Sequence, residues 1–465
     1  MSAGVLLGIA IGAIIVLLLL VIQVKMSAFV AMLLVAFGTA LATKVPVEEI
    51  VPTLQQGMGN TLSSVMIVVG LGAMLGRVIE VAGGADSLAT KFTSILGPKR
   101  VTAAVTAAAF VLGIPVFFDV GFIILAPIVF GFARAAGLNP LKVGMPVAGA
   151  LLTVHVALPP HPGPVAAAGI TGADNGMMLL IGLPICAVTV AIGFFAAKMI
   201  KAENFTLLDS PATRVEKVAE AVAEGEKPEG GSVVDTVVAK TKALGAGTVM
   251  FLILLPILQI MMGTVGNMML EEGTTAQRWL SMIGSSTIAL LTAVIVAYLV
   301  AGHQQGWSLE KRGSILDSSL PDVAVIVFVT GAGGVFANVL VKSGIGAALS
   351  DVLIGMNMPI ILAAFLISMA LRASQGSATV AILTSAGLMS QPIADAGYSG
   401  IQTTLVTLAI GFGALGLSHI NDSGFWIVTK YMGLTVKDGL KTWTVLSTVF
   451  GLVGFLITWG VFLIV

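Results

Sequence analysis

The chain has 465 residues, of which 57% are hydrophobic and 10% are charged, and its formal net charge is zero. Soluble domains carry about 25% charged residues, so this composition excludes a water-exposed globular surface and predicts an integral membrane protein. The balanced charge gives no indication of a nucleic-acid partner. The single cysteine, Cys186, excludes a disulfide framework, a cysteine-rich zinc site and an iron–sulfur cluster.

Apolar runs follow one another along the chain, and a transmembrane helix needs about 20 apolar residues. The first seven runs lie near 4–23, 27–43, 60–80, 101–117, 120–135, 143–158 and 177–198. Seven more lie near 243–264, 281–301, 321–341, 358–372, 377–390, 401–417 and 443–464. Several are too short to cross a bilayer alone. We therefore predict an all-α polytopic membrane protein with about 12–14 transmembrane segments, some of them broken or re-entrant.

One long polar stretch divides the two sets of runs and predicts three parts. Residues 1–201 form an N-terminal membrane repeat, residues 202–240 a cytoplasmic polar linker, and residues 241–465 a C-terminal membrane repeat. The first run, 4–23, has no basic residues before it and is predicted to be a retained span rather than a cleaved signal peptide.

The two halves are related by sequence and by charge. The segments "GLGAMLGRVIEVAGGADSLA" (70–89) and "GAGGVFANVLVKSGIGAALS" (331–350) share three glycines, a valine and a leucine at an offset of 261. When the runs are threaded with the N-terminus outside, 17 of the 20 lysines and arginines beyond the linker fall on the inner side. An odd number of crossings in each half turns the second half upside down. This pattern is typical of the inverted repeats of secondary transporters.

Four stretches interrupt the apolar runs at matched places in the two halves. They are "GIPVFFDVG" (113–121), "LPPHPGP" (158–164), "LRASQGSATVA" (371–381) and "LSHINDSGFW" (417–426). Irregular backbone at membrane depth survives only where protein or a water-filled cavity surrounds it, and a helix N-terminus there attracts an anion. We predict that the four stretches converge near the midplane on an anionic substrate. The alternative is that they are surface loops in which proline ends a helix.

Side chains in these stretches are the candidates for binding and coupling. Asp119 and Asp422 are predicted to carry a proton, although Asp119 could instead cap a helix. Arg372 could bind a carboxylate with two parallel hydrogen bonds or anchor the inner side of the membrane. His155 is interpreted as a helix–helix contact. The predicted substrate-binding residues are His161, Gly163, Arg372, Gln375, Gly376, Ser377, Thr379, His419, Asn421 and Ser423.

No pair of histidines has the spacing of a metal site and no P-loop is present, so we expect no metal, no cofactor and no ATP hydrolysis. A membrane-embedded hydrolase would need a nucleophile with a base, and none is recognisable. A passive channel is a second alternative.

The motifs "GLGAMLGRVIEVAGGA", "LPPHPGP", "QGSATVA" and "SHINDSGFW" resemble those of the gluconate permease family, the gluconate:proton symporters of the ion transporter superfamily, over essentially the full chain. The resemblance implies proton-driven uptake of gluconate or a related sugar acid across the bacterial inner membrane. D-serine is the alternative substrate within the family, and the superfamily implies a homodimer. Two features depart from the family pattern: Asp119 stands where a glutamate is expected, and the charged linker is long.

Overall fold

A computed structural model describes residues 1–97, 100–208, 243–271, 273–420 and 422–465. These residues form helices joined by short turns and contain no β-strand, so the predicted all-α class is confirmed. Helices are the expected elements, because lipid offers no hydrogen-bond partner to the backbone and an α-helix satisfies its amides internally. Most of the predicted linker, from 209 to 240, lies outside the described residues.

In the described part of the first half, the helices are α1 (Ala3–Ile22), α2 (Ala28–Ala42), α3 (Val47–Val81), α4 (Gly84–Leu96), α5 (Val101–Leu112), α6 (Phe118–Ala135), α7 (Pro140–Ala157), α8 (Pro162–Thr171) and α9 (Asn175–Lys198). In the second half they are α10 (Ala246–Met269), α11 (Thr275–Ile283), α12 (Ser286–Gln304), α13 (Leu309–Asp317), α14 (Leu320–Lys342), α15 (Ile345–Gly355), α16 (Ile360–Gln375), α17 (Ala378–Asp395), α18 (Gly400–Leu415), α19 (Ser423–Tyr431), α20 (Val436–Gly439) and α21 (Val445–Phe462). A π-helical turn, Leu440–Thr444, joins the last two.

Seven helices in the described residues are long and apolar enough to cross a membrane, and an eighth span results if α14 and α15, bent by 72°, are taken as one. Four further apolar helices, α2, α5, α16 and α18, have 10–17 residues. Three of them, α5, α16 and α18, end beside or within one of the interrupted stretches. Large apolar side chains such as Ile11, Phe195, Leu258 and Leu456 are at least 60% exposed, as expected for a surface that faces lipid.

Three pairs of helix starts in the two halves have the same spacing. α4 and α15 begin at Gly84 and Ile345, α8 and α19 at Pro162 and Ser423, and α9 and α20 at Asn175 and Val436, each pair 261 residues apart. The glycine pairs Gly83/Gly344 and Gly172/Gly433 have the same separation, and all four have positive φ angles. Glycine adopts this conformation without the steric cost of a Cβ atom, so the shared glycines mark the same turns in both halves. The inverted orientation of the halves stays a prediction.

The first residues of the predicted linker pack against the membrane helices. Lys142 Nζ lies 2.5 Å from a carboxylate oxygen of Glu203, and this hydrogen bond lowers the pKa of Glu203. The amide of Asn139 donates to the carbonyl of Ala202 over 3.2 Å. Leu208 N donates to the carbonyl of Gly433 over 2.7 Å. Residues 202–208 thereby connect the start of α7 with the turn that follows α19.

Helices α3 and α14 join the two halves through a close crossing. A Cβ atom on Gly57 would lie 2.7 Å from the carbonyl oxygen of Gly334 and 2.8 Å from Val335 Cα. Asn338 Nδ2 donates to the carbonyl of Thr53 over 2.7 Å. Small residues allow such close approach of helix backbones in membranes.

We predict that Gly57→Ala weakens this crossing and Gly59→Ala does not. The added methyl at 57 would collide with backbone, and overpacking costs about 1–3 kcal/mol. Position 59 is exposed and has no atom within 4 Å, so alanine there should be neutral or stabilise the helix by up to about 1 kcal/mol. Thermal unfolding in detergent measures the stability of both variants. Equal unfolding temperatures for the two variants would contradict the described crossing.

Candidate functional site

A cavity of about 190 Å³, here called the central cavity, lies where the interrupted stretches meet. Its lining residues are Phe117, Phe118, Asp119, Leu152, His155, Arg372, Ser377, Ala378, Thr379, Asp422, Ser423 and Gly424. Three of the four predicted interruptions contribute directly to this wall. The fourth, at 158–164, contributes through His161, whose ring lies against the ring of His155 with centroids 4.6 Å apart.

The N-termini of four helices cluster at the central cavity. The first residues of α6, α17 and α19 line it. The start of α8 lies beside α17, since a Cβ atom on Gly163 would be 3.0 Å from Ile382 Cδ1 and 3.7 Å from Thr379 Cα. α8 has prolines at 162 and 164, which carry no amide hydrogen. Amide donors at the cavity therefore come chiefly from the other three helices.

Arg372 and Asp422 form a buried ion pair at the cavity wall. Arg372 is 2% exposed and Asp422 is 4% exposed, and Arg372 Nη2 donates to Asp422 Oδ2. Ser418 Oγ also donates to Asp422 Oδ2, and Gly424 N donates to Oδ1 over 3.0 Å. Asp422 is thus a fully hydrogen-bonded carboxylate that balances the charge of Arg372. Breaking a buried pair by removing one partner typically costs about 3–5 kcal/mol.

Arg372 retains hydrogen-bonding capacity beyond this pair. A guanidinium has five N–H donors, and among the described residues only Nη2 has a hydrogen-bond partner. Nε is buried and without a partner. An unpartnered buried donor beside a cavity is the arrangement expected where a ligand binds.

Trp443 contacts Ser418 and Phe118, which lie next to the ion pair. Its indole Nε1 donates to Ser418 Oγ over 2.7 Å, and its ring stacks on Phe118 with centroids 6.0 Å apart. Trp443 lies in the π-helical turn between α20 and α21, and such turns are frequent at functional sites. The turn therefore fixes both the first residue of α6 and the hydroxyl that holds Asp422.

Asp119 lies in the first turn of α6, which begins before Gly121, and its half-buried side chain lines the cavity. It makes no hydrogen bond or ion pair with another described residue. Asp119 is therefore the carboxylate at the cavity that is available to a ligand or a proton.

His155 and His161 form a hydrogen-bonded chain. His161 Nε2 lies 2.7 Å from the carbonyl oxygen of Gly113, and the Nδ1 atoms of the two histidines lie 3.2 Å apart. A carbonyl only accepts, so His161 Nε2 carries hydrogen, and in the neutral ring its Nδ1 is an acceptor. His155 Nδ1 then donates, which leaves His155 Nε2 as the acceptor. The ring of His155 contacts the rings of Phe117 and His161, which directly precede α6 and α8, and His155 also lines the cavity.

Gly376 and His419 do not line the central cavity. Gly376 ends α16 with a φ of 83°. His419 Nε2 lies 2.7 Å from the carbonyl oxygen of Ala373, so its ring connects two interrupted stretches. Asn421 and the side chain of Gln375 lie outside the described residues. Their binding roles stay predictions.

Several residues of the site were not predicted from the sequence. Phe117, Phe118 and Leu152 are apolar residues in an apolar chain, so nothing distinguishes them. Trp443 lies outside every quoted motif, and Ser418, although it lies in the stretch 417–426, is not among the predicted site residues. No group of three or more His, Cys, Asp or Glu that could hold a metal ion occurs in the part of the chain that the structure describes.

Known proteins resemble this chain over its whole length. The family model described as GntP family permease matches residues 4–465. The inner membrane permease YgbN of Escherichia coli K12 is 52% identical over 465 residues, which cover 100% of both chains. A gluconate permease of Pseudomonas aeruginosa is 36% identical over 94% of this chain and 93% of its own. The high-affinity gluconate transporter of E. coli K12 is 34% identical over 97% and 98%.

Solved structures show the same fold at low sequence identity. MtrF of Neisseria gonorrhoeae, from a class of antimetabolite efflux pumps, superposes with a TM-score of 0.59 at 14% identity, over 89% of this chain and 84% of its own. The YdaH transporter of Alcanivorax borkumensis gives a TM-score of 0.51 at 14% identity, over 90% and 88%.

These relatives are permeases and transporters, so the prediction of a transporter rather than an enzyme is confirmed. The several apolar spans agree with the inner-membrane relative and make this a multi-pass inner-membrane protein. The match over residues 4–465 and the full-length identities of 34–52% show that the chain belongs to the GntP family of permeases.

Proposed function

We propose that the protein is a proton-coupled symporter that imports gluconate or a related sugar acid. The observation that carries the proposal is the position of Arg372, a cation with unused donors, in a cavity formed by helix N-termini. The names of the gluconate-transporting relatives support the substrate class. Homodimer formation, implied by the superfamily resemblance, stays a prediction.

The substrate carboxylate binds at the N-termini of α17 and α19. A helix N-terminus carries a partial charge of about +0.5, and its first-turn amides have no intrahelical acceptor. Ser377 and Asp422 each accept from one such amide, those of Val380 and Gly424. The other first-turn amides and the spare donors of Arg372 are then available to a carboxylate.

The hydroxyl groups of the substrate contact neutral polar side chains around the same cavity. Ser377, Thr379 and Ser423 line it and are at least partly exposed. Each hydroxyl can both donate and accept, as a polyol requires. We assign Gln375 and Asn421 to the same role because of their places in the sequence. His155, which also lines the cavity, offers one further acceptor at Nε2.

Asp119 carries the coupled proton. Asp422 already accepts from Arg372, Ser418 and Gly424, so its protonation would disrupt a buried network. Asp119 has no such bonds. Protonating it reduces the charge of the loaded site, and a charge at membrane depth is costly.

D-serine is the second candidate substrate, and Asp119 is the observation that favours it. An amino acid carries an ammonium group beside its carboxylate, and an unpartnered Asp119 facing Arg372 across one cavity would suit both charges. In that case Asp119 binds substrate and does not carry the proton.

Purified protein in proteoliposomes should accumulate radiolabelled gluconate when the outside is acidic, and dissipating the proton gradient with an uncoupler should abolish accumulation. Unlabelled sugar acids and D-serine as competitors identify the preferred substrate. Flux that never exceeds equilibration would contradict symport and support a passive channel.

Asp119→Asn should abolish accumulation but preserve counterflow exchange, because asparagine keeps the shape of the side chain and cannot take up a proton. Asp86→Asn is the matched control, since Asp86 is an exposed aspartate in the first turn of α4. Normal proton-driven uptake by Asp119→Asn would exclude Asp119 from coupling.

Arg372→Lys should raise KM about 10- to 100-fold, because each lost hydrogen bond to a charged group is worth about 1.5–3 kcal/mol and lysine cannot form the planar fork. Arg278→Lys, at an exposed position, should leave KM unchanged. Initial uptake rates over a range of substrate concentrations give KM for both variants. An unchanged KM in a folded Arg372→Lys protein would show that Arg372 does not bind substrate.

A further inference from the structure

Two further cavities lie near opposite ends of the crossed helices α3 and α14. The Asn338 cavity has a volume of about 210 Å³, and its walls include Asn60, Thr61, Ala166, Ala337, Asn338 and Ser390. The Arg77 cavity has a volume of about 20 Å³, and its walls include Ala73, Gly76, Arg77, Glu80, Phe117 and Ser319. The Asn338 cavity is therefore about ten times larger than the Arg77 cavity.

The walls of these two cavities correspond between the two halves of the chain. Four residues of α14 that line the Asn338 cavity are Gly334, Ala337, Asn338 and Val341. Their equivalents 261 positions earlier are Ala73, Gly76, Arg77 and Glu80, and all four line the Arg77 cavity. The same part of the repeat therefore forms both cavities.

The two cavities are separated by about the thickness of the hydrocarbon core of a bilayer. Gly57 lines the Asn338 cavity and Gly76 lines the Arg77 cavity on the same helix, α3. At about 1.5 Å per residue, the 19 positions between them span about 28 Å, close to the hydrocarbon thickness of about 30 Å. The cavities therefore lie towards opposite faces of the membrane.

The central cavity lies between them. Phe117 lines both the central cavity and the Arg77 cavity. On the other side α17 connects the two spaces: Thr379 lines the central cavity and Ser390 the Asn338 cavity, about 16 Å apart along the helix. The contact between Gly163 and Ile382 lies in this wall.

The chemistry of the two walls differs. Among the residues that the structure describes, no charged side chain lines the Asn338 cavity, whose amides and hydroxyls suit a polyhydroxylated molecule. In the Arg77 cavity, Arg77 Nη1 lies 2.7 Å from Glu80 Oε1, and Arg77 Nε donates to Ser318 Oγ over 3.1 Å. This bond connects α3 with the turn before α14 where the cavity is narrow.

We propose that the Asn338 cavity and the Arg77 cavity are the two mouths of one substrate path, which opens to opposite faces of the membrane and meets at the central cavity. The Asn338 mouth is the larger of the two, with a volume of about 210 Å³ against about 20 Å³ for the Arg77 mouth. This proposal rests on the proposed transport function, and it adds the residues through which a hydroxylated acid enters and leaves.

Cysteine labelling in vesicles of known orientation tests the proposal. Ala337→Cys and Ala73→Cys each place a small thiol in one mouth, and the native Cys186 is fully buried. A membrane-impermeant thiol reagent should label Ala337→Cys from one face and Ala73→Cys only from the other. Labelling should reduce uptake at least tenfold, and saturating substrate should slow labelling at both positions.

Labelling of both thiols from the same face, or full uptake after complete labelling of either, would overturn the proposal. If either alanine variant fails to fold, Val341→Cys and Val120→Cys replace them in the same walls. The membrane face from which each thiol is labelled can be measured without substrate. Opposite sidedness with no gluconate transport would therefore contradict the proposed substrate but not the two mouths.

Discussion

A helix that begins inside a bilayer leaves its first amides without intrahelical acceptors, and lipid offers them none. This protein places four helix starts, at Phe118, Pro162, Ala378 and Ser423, around one protein-lined space. At α8, proline carries no amide hydrogen and so needs no acceptor. At α17 and α19, Ser377 and Asp422 each accept a hydrogen bond from one first-turn amide. The amides that remain, together with Arg372, make the space attractive to an anion. The interrupted helices and the proposed anion site are thus consequences of the same backbone constraint.

Corresponding positions in the two halves precede corresponding helices but carry different side chains. His161 and Asp422 stand 261 residues apart, and each occupies the position that precedes its helix, α8 or α19. His161 bonds to the carbonyl of Gly113, whereas Asp422 pairs with the charged Arg372. One half therefore contributes a neutral hydrogen-bonded chain that ends at His155, and the other contributes a balanced ion pair with spare donors. Under the proposed function, this asymmetry places the charged end of the substrate next to Arg372.

Sequence patterns predicted the helical class, the interrupted stretches and the charged residues, because polar residues in an apolar chain are conspicuous and lipid makes each of them costly. Arg372, Asp119, Ser377, Thr379, Asp422 and Ser423 do line one cavity. The roles of His161 and His419 as hydrogen-bonding links to carbonyls depend on which backbone groups are brought near, and spacing along the chain does not show that. Trp443 and Phe118 stack across 325 residues of sequence, so no local pattern indicates their contact. The correspondence between the walls of the Asn338 cavity and the Arg77 cavity depends on how α3 and α14 pack, which no single motif indicates.

The central claim is that a carboxylate binds where these helices begin, next to Arg372. An experimental structure in lipid nanodiscs, with the sugar acid that gives the largest thermal stabilisation of the purified protein, tests it most directly. The account predicts density for the carboxylate within hydrogen-bonding distance of the Arg372 guanidinium and the first-turn amides of α17 or α19, with the hydroxylated chain towards Ser377 and Thr379. Density for the ligand in any other cavity, with the central cavity empty, would contradict it.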